Sequence, residues 1–176
     1  KKLYNYRKNR MKLRIDDKIL VSWNSMMISA LSILYRISGN EKYLNAAKIS
    51  QKFIENNLCK NKRIYTSFRN GNRSGKSFLD DYAYYISALT ELYNSTLNKD
   101  YLNKAEFFCS EAVKLFADNK NGGFYLSEIN NCELFINPKE TFDGAVPSGN
   151  SIMAYNFVRL YQLTAVSYTH LTLPTT

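Results

Sequence analysis

The sequence predicts an all-α fold assembled from repeated helical hairpins. Three observations carry that prediction. Apolar residues recur at i, i+3, i+4 and i+7 through most of the chain. Cap and turn residues bound each periodic stretch. One residue pattern also repeats at a fixed offset: Ile28-Ser29-Ala30-Leu31 recurs as Ile86-Ser87-Ala88-Leu89, 58 positions on.

The elements follow in order. Met27, Ala30, Leu31 and Leu34 mark a first helix that Gly39 stops. Asn40 caps a second through Ala46, Ile49 and Phe53. Asn70-Gly71-Asn72-Arg73-Ser74-Gly75 reads as a polar loop. A third helix begins near Asp80 or Asp81 with the stripe Tyr82, Tyr85, Ile86, Leu89 and Tyr93, and a fourth shows Ala105, Phe108, Cys109, Ala112 and Phe116. Phe124-Tyr125-Leu126 and Leu134-Phe135-Ile136, around the turn at Asn121-Gly122-Gly123, are expected to form a short β-hairpin near 124–136. A fifth helix starts near Ser148 and runs through Leu163.

The offset of 58 also maps Leu34-Tyr35 onto Leu92-Tyr93 and Tyr43-Leu44-Asn45 onto Tyr101-Leu102-Asn103. A weaker third copy pairs Asn150-Ser151 with Asn24-Ser25 and Leu160-Tyr161 with Leu34-Tyr35, 126 positions on. The unit is a hairpin of roughly 60 residues, too small to bury its apolar face alone, so copies must stack into a solenoid or close into a ring. Two and a half copies are an incomplete structure. The chain does not open on Met and shows no signal peptide, so residues 1–165 are expected to be a fragment of a longer domain.

Composition narrows the function classes. The 176 residues are 45% hydrophobic and 14% aromatic, enough for a core and unlike a disordered chain. No run of 18 apolar residues is present, so no membrane partner is expected. Three cysteines without pattern exclude a disulfide scaffold and a cysteine-based zinc site, and no cofactor is expected. The net charge of +9 raises the question of an acidic partner. Residues 1–20 hold eight basic side chains against Asp16 and Asp17, with Tyr4 and Tyr6 interleaved as in a nucleic-acid-binding arm. Lys and Asn abound throughout, and the segment reads as a solvated basic stretch; nucleic acid is not the expected partner.

Residues 166–176 carry no charge and break the preceding helical pattern. They look like the translation of a transposon-end sequencing adapter, which matches ten consecutive residues from Val166 to Thr175, and are set aside as an artefact. The one histidine, His170, goes with them, leaving no imidazole for chemistry.

The informative polar residues precede or open alternate helices: Asp16-Asp17 with Trp23-Asn24, Asp80-Asp81-Tyr82, and the run from Glu140 through Asp143 and Pro147-Ser148-Gly149 to Asn150. If alternate helices form an inner ring, these segments converge at one end of its axis, as a funnel of carboxylates, aromatic rings and amides suited to a sugar or another polyol. Asp81, Glu140 and Asp143 are the candidates for acid/base work. Trp23 and Tyr82 would stack a ring, Asn24 and Asn150 would bond hydroxyls, and Asp17 and Ser148 would complete the binding set. The competing reading is that Asp and Ser at helix starts are ordinary N-caps and that the aromatic stripes are packing. Gly71 to Ser77 has glycine spacing one residue short of a phosphate-binding loop, and Asn72-Arg73-Ser74 and Asn94-Ser95-Thr96 matter as glycosylation triplets only in a secreted protein.

Several blocks carry a family resemblance. They are Asp16-Asp17-Lys18-Ile19-Leu20 with Ser22-Trp23-Asn24 and Met27-Ile28-Ser29-Ala30, then Asp81-Tyr82-Ala83 and Gly122-Gly123-Phe124-Tyr125. The last are Lys139-Glu140, Asp143-Gly144-Ala145 and Pro147-Ser148-Gly149-Asn150-Ser151. In order and spacing these resemble the C-terminal part of a thioredoxin-domain-containing family of bacterial and animal proteins that includes the spermatogenesis-associated protein. Ser25 departs from the family's usual glycine after Trp-Asn, and the stretch before Asp16 lacks its usual proline. The resemblance implies an (α/α)6 toroid of the six-hairpin glycosidase type, similar in fold to N-acylglucosamine 2-epimerases. It also implies a thioredoxin-like domain elsewhere in a cytoplasmic protein. The expected function is binding or processing of a carbohydrate-like small molecule; the alternative is a non-catalytic scaffold or recognition domain serving the thioredoxin-like domain. Fold similarity to sugar enzymes does not itself establish catalysis.

Overall fold

Two copies of one hairpin set the frame. The computed structural model describes residues 1–10, 16–129 and 135–164. Helix α1 (Lys2–Lys8) is exposed throughout and stacks Lys8 over its own Tyr4. Helix α2 (Val21–Ser38) ends at Gly39, whose φ of 69° turns the chain so that its N–H reaches the Tyr35 carbonyl. The Asn40 side chain then accepts from the Lys42 N–H at 3.0 Å and starts α3 (Glu41–Leu58). Fifty-eight residues on, the corner recurs: Leu97 takes the left-handed conformation and Asn98 caps the Asp100 N–H, joining α4 (Leu79–Thr96) to α5 (Lys99–Phe116).

Helices α2, α4 and α6 (Gly149–Thr164) run parallel as an inner layer. At their amino ends Ser22 faces Asp81, and the Tyr84 hydroxyl donates to the Pro147 carbonyl just before α6. At mid-length Asn156 Nδ2 donates to the Ala83 carbonyl and the Ser87 hydroxyl donates to Asn156 Oδ1. Toward their carboxyl ends Glu91 is gripped by Arg36 of α2 at 2.6 Å and Arg159 of α6 at 2.5 Å. Helix α3 packs on α2 and α5 on α4 as the outer layer. The core is densest around α4, where Tyr82 meets Phe108 and Phe116 edge-on and Tyr85 meets Phe108.

A small antiparallel sheet closes the amino-end side. Strand β3 (Arg63–Arg69) pairs with β1 (Ile19–Leu20), β2 (Cys59–Lys60) and β4 (Asn72–Lys76). The segment expected as a polar loop at 70–75 is therefore a hairpin: Asn70 and Gly71 adopt φ of 49° and 78°, the two left-handed positions of a tight two-residue β-turn.

The β-hairpin expected near 124–136 is not where the sheet lies. Phe124 makes one bridge, to Ala117, and Phe135 and Ile136 are exposed outside any strand, while Leu134 falls outside the described residues. The cause is local. The turn at 118–123 winds around Asp118, whose Oδ1 accepts the N–H groups of Lys120 and Asn121. The N–H groups of Phe124, Tyr125 and Leu126 then go to Asn150, Phe116 and Pro138, three unrelated partners that form no ladder. Residues 166–176, expected to be an adapter artefact, also lie outside the described residues.

Candidate functional site

The amino ends of α2, α4 and α6 converge, as the sequence pattern anticipates for alternate helices. What they bring together differs from the candidate list in one helical step. Asp81 is 2% exposed and its Oδ2 accepts from the Phe78 N–H at 3.0 Å and the Thr66 hydroxyl at 2.9 Å. The N–H and hydroxyl of Ser22 also face it. Burial pushes its proton affinity up and these donors pull it down. Asp81 thus caps α4 and ties it to β3 and α2.

Tyr82 is fully buried between Phe108 and Phe116, with its hydroxyl accepting the Ile64 N–H, so its ring packs the core and presents no face to a sugar. Asn150 is similarly committed. Its Oδ1 accepts from the Phe124 N–H at 2.8 Å, and its Nδ2 donates to the carbonyls of Phe124 and Glu140 at 3.0 and 2.8 Å. Ser148 is buried, donates its N–H to Asp143 Oδ1 at 2.9 Å and bonds Ser151 at the start of α6. Asp17 pairs with Arg69 at 2.5 Å and anchors the entry to the sheet. Asn24 donates to the Leu20 carbonyl at 2.8 Å. Trp23 is 67% exposed. Ser25, standing where the family resemblance leads one to expect glycine, is fully buried with its hydroxyl unbonded among the described residues.

Asp80, which the sequence pattern names together with Asp81, is not among the residues expected to do acid/base work. It sits half-buried one position before Asp81, hence about 100° round the helix, facing α6. Its Oδ1 is buried without a hydrogen-bond partner among the described residues. Burial first, then the neighbouring Glu140 carboxylate and Asp81, raise its proton affinity, opposed by the Gly149 N–H. Asp143 is the contrast: the Ser148 N–H holds its carboxyl below the usual carboxylate range. Tyr84 lies between them, its hydroxyl on the Pro147 carbonyl at 2.6 Å, and burial together with the charges of Asp80 and Asp143 makes it a weaker acid. Glu140 and Asp143 are exposed, and the loop that carries them also exposes Phe142 and Val146.

The arrangement places two carboxyl groups of different acidity, Asp80 and Asp143, and a third carboxylate, Glu140, around the start of α6. Carboxyl groups whose proton affinities are shifted in opposite directions are a disposition that can serve proton transfer. A signal for Asp80 exists in the sequence: Asp80, Tyr84, Ser87 and Glu91 form a polar stripe at i, i+4, i+7 and i+11, and Tyr84, Ser87 and Glu91 each bond across to α6 or the residues leading into it. No group of His, Cys, Asp and Glu among the described residues is placed to hold a metal ion, and no helix among them is long and apolar enough to cross a membrane.

Comparison with known proteins places this geometry. No family model matches the chain. Spermatogenesis-associated protein 20 of Rattus norvegicus is 32% identical over 174 residues, spanning 93% of this chain. Nearly the whole chain is thus similar to one segment of spermatogenesis-associated protein 20. It spans only 22% of that protein's length. Among solved structures, cellobiose 2-epimerase from Bacillus thermoamylovorans superposes with a TM-score of 0.71 at 18% identity, over 88% of this chain and 42% of the epimerase. A glycoside hydrolase of family 105 from C. acetobutylicum gives 0.68 at 18% identity, over 96% of this chain and 52% of the hydrolase. The chain therefore has the fold of part of an (α/α)6 toroid.

Proposed function

We propose that the amino-end face of the inner helices binds a carbohydrate-like polyol, with Asp80 as proton donor and Glu140 as its carboxylate partner. One observation carries the reading: Asp80 holds a buried carboxyl oxygen beside Glu140, at the mouth of a fold shared with a sugar epimerase and a glycoside hydrolase. A buried acid of raised proton affinity is what protonation of a glycosidic or ring oxygen requires. Asp143 orders the lip of the cleft through Ser148, and the exposed Phe142 offers an apolar face to a sugar ring.

A second reading is favoured by the capping bonds. Asp81, Ser148 and Asn150 spend their hydrogen bonds on backbone and neighbouring hydroxyls, as in a scaffold or recognition domain. Such a domain would serve the thioredoxin-like domain that the sequence resemblance implies elsewhere in the polypeptide. Cysteines without a pairing pattern suit a cytoplasmic setting in either case.

Titration of the full-length protein with neutral mono- and disaccharides, cellobiose among them, separates the two readings. The sugar-site reading expects saturable binding that Asp80→Asn weakens by tenfold or more, and turnover visible by proton NMR that Asp80→Asn and Glu140→Gln abolish. Absence of binding across the panel, or binding indifferent to both substitutions, supports the scaffold.

A further inference from the structure

Consecutive residues leading into Glu140 are each tied down by a different contact. Asn137 donates Nδ2 to the Ser127 carbonyl at 2.8 Å and accepts the Ser127 N–H at 3.0 Å. The Pro138 carbonyl accepts from the Leu126 N–H at 2.8 Å. Lys139 Nζ donates to Asp118 Oδ2 and to the Gly122 carbonyl, both at 2.6 Å. The Glu140 carbonyl accepts from Asn150 Nδ2 at 2.8 Å.

The tie at Lys139 is the charged one, and it ends on an acceptor that is fully engaged. Asp118 is 6% exposed in its side chain. Its Oδ1 takes the N–H groups of Lys120 and Asn121, and its Oδ2 takes Asn121 Nδ2, the Tyr125 hydroxyl and the Lys139 ammonium. Lys139 first, then Asn121, hold the Asp118 carboxyl well below the usual carboxylate range. The same ammonium lies 5.0 Å from the centre of the Tyr125 ring. A buried carboxylate with this many charge-assisted partners is a rigid seat.

Two consequences reach Glu140. With the Lys139 side chain and the Glu140 carbonyl both held, the backbone between them is fixed, and the Glu140 side chain moves only through its own rotamers. Lys139 is also the one cation between residues 135 and 148. Its charge is spent on Asp118, so it does not neutralise the carboxylate next to it in sequence. The charges that bear on Asp80 come from Asp81 of its own helix and from Glu140 across the gap, with Tyr84 of the same helix close by.

We propose that Lys139 and Asp118 are positioning residues for Glu140: their ion pair fixes residues 137–140 so that the Glu140 carboxylate stands beside Asp80, and keeps the neighbouring ammonium off it. This inference rests on the reading of Asp80 as proton donor and Glu140 as its carboxylate partner. Lys139 and Asp118 act through Glu140.

The test is a double-mutant cycle in the full-length protein, read by carboxyl-carbon NMR of Asp80. Glu140→Gln removes the neighbouring charge and sets the reference shift. Lys139→Met is expected to lower the Asp80 titration midpoint by half or more of that shift, and to add nothing in the Glu140→Gln background. Lys139→Arg keeps a cation on Asp118 and is expected to restore the unsubstituted midpoint. Amide exchange over residues 137–140 should rise about tenfold with Lys139→Met and stay level with Lys139→Arg. An unchanged midpoint in Lys139→Met overturns the proposal. So does an equal drop in both backgrounds, since the substitution would then loosen the fold around Asp80 without acting through Glu140. If Lys139→Met does not fold, Lys139→Gln, which can still donate to the Gly122 carbonyl, takes its place in the same cycle. Saturable sugar binding with an indifferent midpoint overturns the positioning and leaves the sugar site standing. The expected cycle with no sugar bound upholds the positioning and removes the sugar reading.

Discussion

Gly149 at the start of α6 lies so close to Asp80 at the start of α4 that a β-carbon on residue 149 would sit 2.4 Å from Asp80 Oδ1. It would also meet Leu79 Cγ and Cδ2 at 2.9 Å, and Leu79 is buried in the core. Absence of a side chain is what lets the two helix ends touch. Gly149→Ala is expected to cost about 1–3 kcal/mol through overpacking. A denaturant melt measures the loss, and a cost under about 0.5 kcal/mol would mean that Asp80 and Leu79 swing aside freely.

At the opposite end of the same helices, Glu91 is 8% exposed in its side chain and bridges Arg36 and Arg159. Removing the acid leaves two cations facing each other over a buried gap, the costly way to break such a site. Arg36 is a third exposed and can turn to water, so Glu91→Gln is expected to destabilise by about 2–3 kcal/mol, below the full range for buried pairs. Arg36→Met in the same background should recover part of that loss, measured as a double-mutant cycle.

Asn150 makes a different kind of junction, fastening Phe124 and Glu140 to α6 through three backbone bonds. Asn150→Ala strands one N–H and two carbonyls, for an expected cost of about 2–4 kcal/mol. Because Glu140 is one of the groups released, amide exchange in the loop after Pro138 should rise with it. Unchanged exchange there would show that the loop is held by other contacts.

The helices and their repeat were legible because 3.6-residue periodicity and the corner residues Gly39 and Asn40, with Asn98 as the second cap, are local signals. The site was only half legible. Asp80 and Asp81 differ by about 100° on the helix, and which of them faces a seam depends on where neighbouring helices sit. Tyr82 and Tyr84 pose the same problem, one ending in the core and the other on Pro147. Aligning the copies resolves the phase, since Asp81 corresponds to Trp23 and Gly149. The sheet was missed although Arg63–Arg69 is rich in aromatic and β-branched residues and is followed by Asn70-Gly71, a strong hairpin signal. The glycines nearby were read as a loop. Phe124–Leu126 was misassigned because its backbone partners come from three distant segments that no window of sequence contains.

Leu97 departs from its own repeat. It takes φ of 57° at the corner where the equivalent Gly39 takes 69°, and a branched side chain in that conformation is disfavoured by about 1–2 kcal/mol. Leu97 is 74% exposed, so little packing is lost on removing its side chain. After the extra chain entropy of glycine in the unfolded state, Leu97→Gly is expected to stabilise by about 0.5–1 kcal/mol. A lower melting temperature would show that the side chain contributes packing that outweighs the backbone relief.

The acidity of Asp80 gives the last prediction its sign. A carboxyl whose proton affinity is raised by folding binds more protons in the native than in the unfolded state between its two titration points. Stability therefore falls as pH rises from the ordinary Asp value of 3.8 through the raised value, and is level above it. Burial is the largest cause and Glu140 the next, so Glu140→Gln should move the Asp80 titration part of the way down, and Asp80→Asn should remove this component of the pH slope. Carboxyl-carbon NMR of Asp80 reads the titration directly and chemical melts from pH 3.5 to 7 read the slope. An Asp80 that titrates at 3.8 or below would remove the acid from the proposed Asp80–Glu140 pair, whatever the sugar panel shows.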